Sequence, residues 1–257
     1  MVQSLAHSTW ECETASAAPT ALGEAWHPRT LWTWGNALGR TAFILLRLGQ
    51  AKDPSQVLSQ WSRHLLRALH VEVELAAPIP DGAQIWVANH LSWLDPMVLM
   101  AQRPMLTLAK AEVADYPWLG RHARQAGLHF VDREDPLHRA AALLELVRRW
   151  RTGAPFLLFP EGTTTEGNAL APLYEGGLRA AFRLGLPVLP LRLESPDAQY
   201  PWTGEAALLP HLQALSRWER TRVSIHPGAL LTPCGDEDAW LRRIRAHLGP
   251  HSNQRCP

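Results

Sequence analysis

Residues 84–109 read QIWVANHLSWLDPMVLMAQRPMLTLA, and their texture changes twice. Gln84–Ala88 is a short run of branched and aromatic side chains, the composition of a strand. Asp95 followed by Pro96 is a good helix start, because the proline ring pre-sets the first helical φ and its missing N–H has no intrahelical partner to lose. Met105–Ala109 then returns to strand texture. Strand, helix and strand within 26 residues form the repeating unit of a parallel sheet, since parallel neighbours need a crossover between them.

The same alternation runs outward on both sides. VEVEL (71–75), LHFV (128–131), PFLLF (155–159), VLPLRL (188–193) and RVSIH (222–226) read as further strands. LHRAAALLELVRRW (137–150), GLRAAFRLG (177–185) and EDAWLRRIRAHL (237–248) carry apolar residues at helical spacing. The expected class is α/β, with a mainly parallel sheet flanked by helices, over residues 71–250. Upstream, Lys52-Asp53-Pro54-Ser55 divides two helical segments, 30–49 and 54–69. They predict an N-terminal helical hairpin over 29–70, preceded by a flexible leader over 1–28.

Composition bounds the function. The chain has 257 residues, 46% of them apolar and 19% charged, which is globular rather than disordered. A net charge of +1 excludes the marked basic excess of a nucleic-acid binder. Cys12, Cys234 and Cys256 are odd in number and far apart, so they define neither a zinc site nor a disulfide framework. The first residues lack the charged start and apolar core of a secretory signal. Leu31–Gly49 is interrupted by Asn36, Arg40 and Arg47 and is too polar for a spanning helix, but an amphipathic helix of this kind suits a bilayer surface. Twelve Trp add a mild hint in the same direction, with core packing as the plain alternative for each.

Three motifs stand where strands end. Asn89-His90-Leu91-Ser92-Trp93-Leu94-Asp95 follows the strand 84–88. An Asp five positions after a His can fold back to its second ring nitrogen, fix the tautomer and leave a general base. Alternatively, Asp95 only caps the helix at Pro96 and His90 only packs. Phe159-Pro160-Glu161-Gly162-Thr163-Thr164-Thr165 follows the strand 155–159 and offers N–H groups and hydroxyls to an anion, or is simply a Pro/Gly turn. Arg133 follows the strand 128–131 as a planar fork suited to phosphate, or as a surface ion pair.

Taken in order, these blocks resemble the glycerolipid acyltransferase family, whose best-known members are 1-acylglycerol-3-phosphate acyltransferases. Asn89, His90 and Asp95 match its Asn-His-x-x-x-x-Asp block. Lys110 with Pro117, Gly120 and the stretch ending in Arg133 is similar to the second block. Phe159–Thr163 matches the third, and LPVLPLRL, with Pro187 and Pro190, is similar to the fourth. The match covers about residues 55–230. Where the family often has Phe-Lys-x-Gly, this chain has Tyr174-Glu175-Gly176-Gly177 and lacks the basic residue.

The resemblance implies transfer of an acyl group straight from acyl-CoA or acyl-ACP, as co-substrate, to a lyso-lipid hydroxyl, with no cofactor and no metal. It implies His90 as base, Asp95 as its partner and Lys110, or N–H groups near Gly162, as oxyanion donors. Asn89, Arg133, Glu161, Gly162 and Thr163 would hold the acceptor. The acceptor it favours is 1-acylglycerol-3-phosphate, giving phosphatidate. Tyr200–Glu205 and the following LLPHL are similar to a subset near the lyso-ornithine-lipid acyltransferases, which makes that lipid the alternative. The N-terminal helices would seat the enzyme on the cytoplasmic side of the inner membrane. Two rival readings are a metal-dependent hydrolase ligated by His90, Asp95, Asp132 and Glu161, and a non-catalytic lipid-binding relative.

Overall fold

The Asp53 side chain accepts the N–H of Ser55 at 3.0 Å, and Pro54 follows as the first residue of helix α1, Pro54–Ala68. The computed structural model describes residues 53–110, 129–131, 135–150, 156–204 and 208–250. After α1 come β1 (Val71–Leu75), β2 (Ile85–Ala88), α2 (Asp95–Gln102), β3 (Leu106–Lys110) and β4 (His129–Val131). Then follow α3 (Pro136–Trp150), β5 (Phe156–Leu158), α4 (Gly176–Arg183), β6 (Val188–Glu194), α5 (Leu208–Arg217), β7 (Thr221–Pro227) and α6 (Glu237–Leu248).

The strands form one seven-stranded sheet in the order β1-β7-β6-β2-β5-β3-β4. Every pairing is parallel except β6 with β7. This is the mainly parallel α/β architecture that the alternation predicts. All four residues of β2 are buried, as a central strand covered on both faces requires. Edge strand β1 instead alternates, burying Val71 and exposing Glu74. Two apolar layers flank the sheet. One gathers Trp86, Ala88, Leu189 and Leu191 beneath α1 and α2; the other packs Ile85, Val87 and Val188 against Leu178 of α4 and Trp240 of α6.

Pro190 lies inside β6, where a proline normally breaks a ladder. Its carbonyl accepts the N–H of Gly228 at 2.9 Å, so its missing donor also faces that side. There it falls between the Val188–Leu231 bridge and the ladder that starts at Leu191–Pro227. The pairing with β2 loses nothing.

The second helix of the expected hairpin, α1, packs on this domain: Leu58, Leu65, Leu66 and Leu69 are buried in the same layer as α2, and the Arg63 Nε–H donates to the Ala101 carbonyl at 2.7 Å. The leader and the first hairpin helix lie outside the described residues. Trp86, Trp150 and Trp240 are core residues, the plain alternative for a tryptophan-rich chain. Among the described residues no helix is long and apolar enough to cross a membrane.

Candidate active site

Because β2, β5 and β6 are parallel, their C-terminal ends open on one edge, and the loops that leave them meet there. Asn89 is the first residue past β2. Its side-chain amide copies a backbone pair with Leu193 of β6, donating to the Leu193 carbonyl at 3.0 Å and accepting the Leu193 N–H at 2.7 Å. That closes the sheet one residue beyond the strand and fixes where His90 starts.

His90 is held on every side and is 7% exposed. Its N–H donates to Glu161 Oε1 at 2.7 Å. Its carbonyl accepts the Thr165 N–H at 2.8 Å. The ring stacks on Phe159, with centroids 4.2 Å apart and planes 20° apart. Nδ1 lies 2.8 Å from Asp95 Oδ2. A carboxylate only accepts, so Nδ1 carries the hydrogen and the Nε2 lone pair is the basic position. Among the described residues Nε2 has no partner.

Asp95 resolves the ambiguity in its motif. It opens α2 ahead of Pro96, yet its carboxylate makes no capping bond to that helix. The side chain turns back to accept the N–H groups of Leu91 at 2.5 Å and Ser92 at 2.8 Å, as well as the His90 ring. Oδ1 accepts the hydroxyl of Tyr200 at 2.6 Å. The carboxylate is fully buried, and among the described residues the His90 ring is the one basic group within ion-pair distance, so four donors offset its lost hydration.

Glu161 is 3% exposed. Oε1 accepts the His90 N–H, and Oε2 accepts the Ala171 N–H at 2.9 Å. Burial pushes its carboxyl above the ordinary glutamate value, while these two N–H bonds and the nearby His90 pull it back. The sequence assigns Glu161 to the acceptor; the structure occupies both its oxygens with backbone. Gly162 adopts φ +68°, and Thr163 is exposed at the mouth of the loop. Lys110 closes β3, two strands from β2 across β5. Its side chain, Arg133 and Asp132 lie outside what is described. Glu175, standing where a base was expected, pairs with Arg179 at 2.8 Å and with Arg245, tying α4 to α6.

No spacing in the sequence marks Tyr200 for a task at this site, nor Thr165 and the Phe159 ring as supports for His90, nor Ala171 as a support for Glu161. Thr165 and Phe159 stand inside the Phe159–Thr165 motif, so their nearness to a strand end was the available signal. Tyr200 lies 105 residues from Asp95, and no local spacing points to it.

A buried carboxylate against an imidazole whose second nitrogen has no partner among the described residues, at the open edge of a parallel sheet, places this chain in a class of α/β proteins whose strand-end loops can support proton transfer. The comparisons are specific about which. The acyltransferase family model matches residues 70–194. The chain is 37% identical over 170 residues to a lyso-ornithine lipid O-acyltransferase of Pseudomonas aeruginosa, covering 64% of this chain and 66% of that one. It is 30% identical to a 1-acyl-sn-glycerol-3-phosphate acyltransferase of Neisseria meningitidis, covering 58% and 59%. With a lyso-ornithine lipid O-acyltransferase of Brucella abortus the identity is 30% over 221 residues, covering 73% of this chain and 83% of that one. The crystal structure of the 1-acyl-sn-glycerophosphate acyltransferase PlsC from Thermotoga maritima shares the fold, with a TM-score of 0.62 at 20% identity over 86% of this chain and 93% of that one. This chain belongs to the acyltransferase family. It spans somewhat under two thirds of the length of the Pseudomonas and Neisseria relatives.

Proposed function

We propose that the protein transfers a fatty acyl group from an acyl-CoA or acyl-ACP thioester to the free hydroxyl of a lyso-lipid at the membrane surface. The observation that carries this is the 2.8 Å contact between His90 Nδ1 and Asp95 Oδ2, which leaves Nε2 without a partner among the described residues. Nε2 takes the acceptor's hydroxyl proton as that oxygen bonds to the thioester carbonyl carbon. Asp95 stabilises the imidazolium. The tetrahedral intermediate then collapses, the C–S bond breaks, and the proton on Nε2 passes to the departing thiolate. Lys110 and the N–H groups near Gly162 are the proposed oxyanion donors, a contribution of about 3–4 kcal/mol per donor in comparable sites. Arg133 and Thr163 are proposed for the acceptor head group, and Asn89 and Glu161 for holding His90.

Two acceptors have support. 1-Acylglycerol-3-phosphate is the commonest acceptor of the family that the motif blocks resemble, and relatives of that activity are 30% identical. The 37% identity to the Pseudomonas lyso-ornithine lipid enzyme, with an acid at Glu175 in place of a base, supports lyso-ornithine lipid as the better substrate. Residues 29–52 are proposed to seat the enzyme on the cytoplasmic leaflet of the inner membrane, with Arg40 and Arg47 toward anionic lipid.

The test is thiol release from palmitoyl-CoA with a panel of lyso-acceptors containing both lipids, repeated with acyl-ACP and with His90→Ala. Acceptor-dependent release by the wild type and none by the variant is the expected result, and the fastest acceptor identifies the substrate. Silence of the wild type with every donor and acceptor would overturn the reading in favour of a lipid-binding relative.

A further inference from the structure

The segment 195–204 leaves the C-terminal end of β6 and closes over the 89–95 loop from the side opposite Glu161. It is fastened at both ends. Asp197 accepts the Arg222 N–H of β7 at 2.6 Å and pairs with its guanidinium at 3.0 Å. The Trp202 N–H donates to the Leu91 carbonyl at 2.8 Å. Behind it, the Trp93 Nε1–H donates to His211 Nδ1 at 2.9 Å, while His211 Nε2 lies 3.0 Å from the Gln199 carbonyl. Both partners fit only a neutral ring protonated on Nε2, and burial lowers the His211 pKa in keeping with that state.

Tyr200 stands at the centre of this segment, with no exposed surface, and its hydroxyl donates 2.6 Å to Asp95 Oδ1. The two oxygens of Asp95 thus have separate tasks. Oδ2 receives the His90 ring and the Leu91 and Ser92 N–H groups; among the described residues Oδ1 receives Tyr200 alone. Burial and the charge of Asp95 push the tyrosine pKa well up, so the hydroxyl remains a donor.

We propose that Tyr200 is a positioning residue for acyl transfer, acting on His90 through Asp95 by fixing the carboxylate's rotation and drawing charge to its outer oxygen. The proposal rests on the reading of His90 as the base. Without the hydroxyl, Oδ1 is a buried acceptor with no partner among the described residues, a costly state. The carboxylate is then loosened about Cβ–Cγ, and more of its negative charge faces the imidazole. An imidazole beside a fuller negative charge keeps its proton to higher pH. Asp95, Glu161 and Tyr200 are the titratable groups shown in contact with His90 or with its partner. Of these, only Asp95 changes its charge distribution when Tyr200 loses its hydroxyl.

The experiment compares Tyr200→Phe, Asp95→Asn and the double variant with the wild type, in the full chain and with the best acceptor. Tyr200→Phe should lower kcat about tenfold or more while leaving the acceptor KM within about twofold. The acid limb of its pH–rate profile should move to higher pH. Because Tyr200 works through Asp95, adding Tyr200→Phe to Asp95→Asn should cost little further activity. Wild-type kcat and an unmoved profile in Tyr200→Phe would overturn the proposal, even if the melting temperature falls. So would a double variant whose losses multiply. Full activity of His90→Ala would instead refute the general-base reading, whichever way Tyr200 behaves.

Discussion

Glu161 grips His90 by its backbone and not by its ring: Oε1 accepts the His90 N–H at 2.7 Å while Oε2 accepts the Ala171 N–H at 2.9 Å. The carboxylate therefore bridges the end of β2 to the loop that follows β5. A glutamine has one acceptor oxygen and one donor group, so one of the two N–H groups must then face an N–H₂. Glu161→Gln is expected to lower kcat about tenfold or more, from a buried donor left unpaired, with the acceptor KM nearly unchanged. A variant with normal kcat and a raised acceptor KM would return Glu161 to the head-group site. Steady-state kinetics with varied acceptor decides between them.

The dyad itself predicts a steep loss of activity. His90→Ala should reduce turnover by about a thousandfold or more, and Asp95→Asn by a comparable factor, since an amide holds the wrong tautomer. The two variants should differ in stability. His90→Ala removes a ring stacked on Phe159, whereas Asp95→Asn turns an N–H₂ toward a site built of four donors. Denaturant unfolding should show a loss of about 1–3 kcal/mol for Asp95→Asn. A stable Asp95→Asn protein would mean that water, rather than protein donors, satisfies this carboxylate.

Much of this architecture is legible in the sequence, and the reasons are physical. β1 and α6 occupy the spans that their runs predict, β2 begins one residue inside its run, after the polar Gln84, and β5 lies within 155–159 as Phe156–Leu158. Buried strands of a parallel sheet are short apolar runs, and such runs are hard to misread when helical periodicity separates them. The His90–Asp95 pair is also legible, because both residues belong to one turn. Contacts between distant segments are not. The roles of Asn89 on Leu193, Glu161 on His90 and Tyr200 on Asp95 span 104, 71 and 105 residues, and no periodicity encodes them. Helix α5 is not among the helical runs that the periodicity marks, and it carries Pro210 in its first turn. The antiparallel entry of β7 depends on the chain's return beside β6, which is likewise a tertiary fact.

Gly162 makes the third motif block a matter of backbone shape as well as chemistry. Its φ of +68° is unfavourable for other residues, and a Cβ there would lie 2.6 Å from Tyr174 Cε2. Gly162→Ala should therefore cost about 1–3 kcal/mol of stability and displace the turn carrying Glu161. The expected readout is a lowered denaturation midpoint together with reduced turnover. Wild-type stability would show that Tyr174 swings aside without cost.

The anchor of the Tyr200 segment should respond to acid. The Arg222 guanidinium and N–H hold the Asp197 carboxyl below its usual range, despite an opposing effect of burial. A carboxyl lowered in the folded state stabilises it above the unfolded value, near pH 4, and that contribution disappears as pH falls through the folded value. Asp197→Asn should thus lower the melting temperature at pH 7, and the gap between variant and wild type should close toward pH 3. Tyr200 N–H donates to the Asp197 carbonyl at 3.0 Å, so loosening this anchor should also reduce kcat at neutral pH. A gap that stays constant between pH 7 and pH 3 would show that packing, rather than the charge on Asp197, fastens the segment to β7.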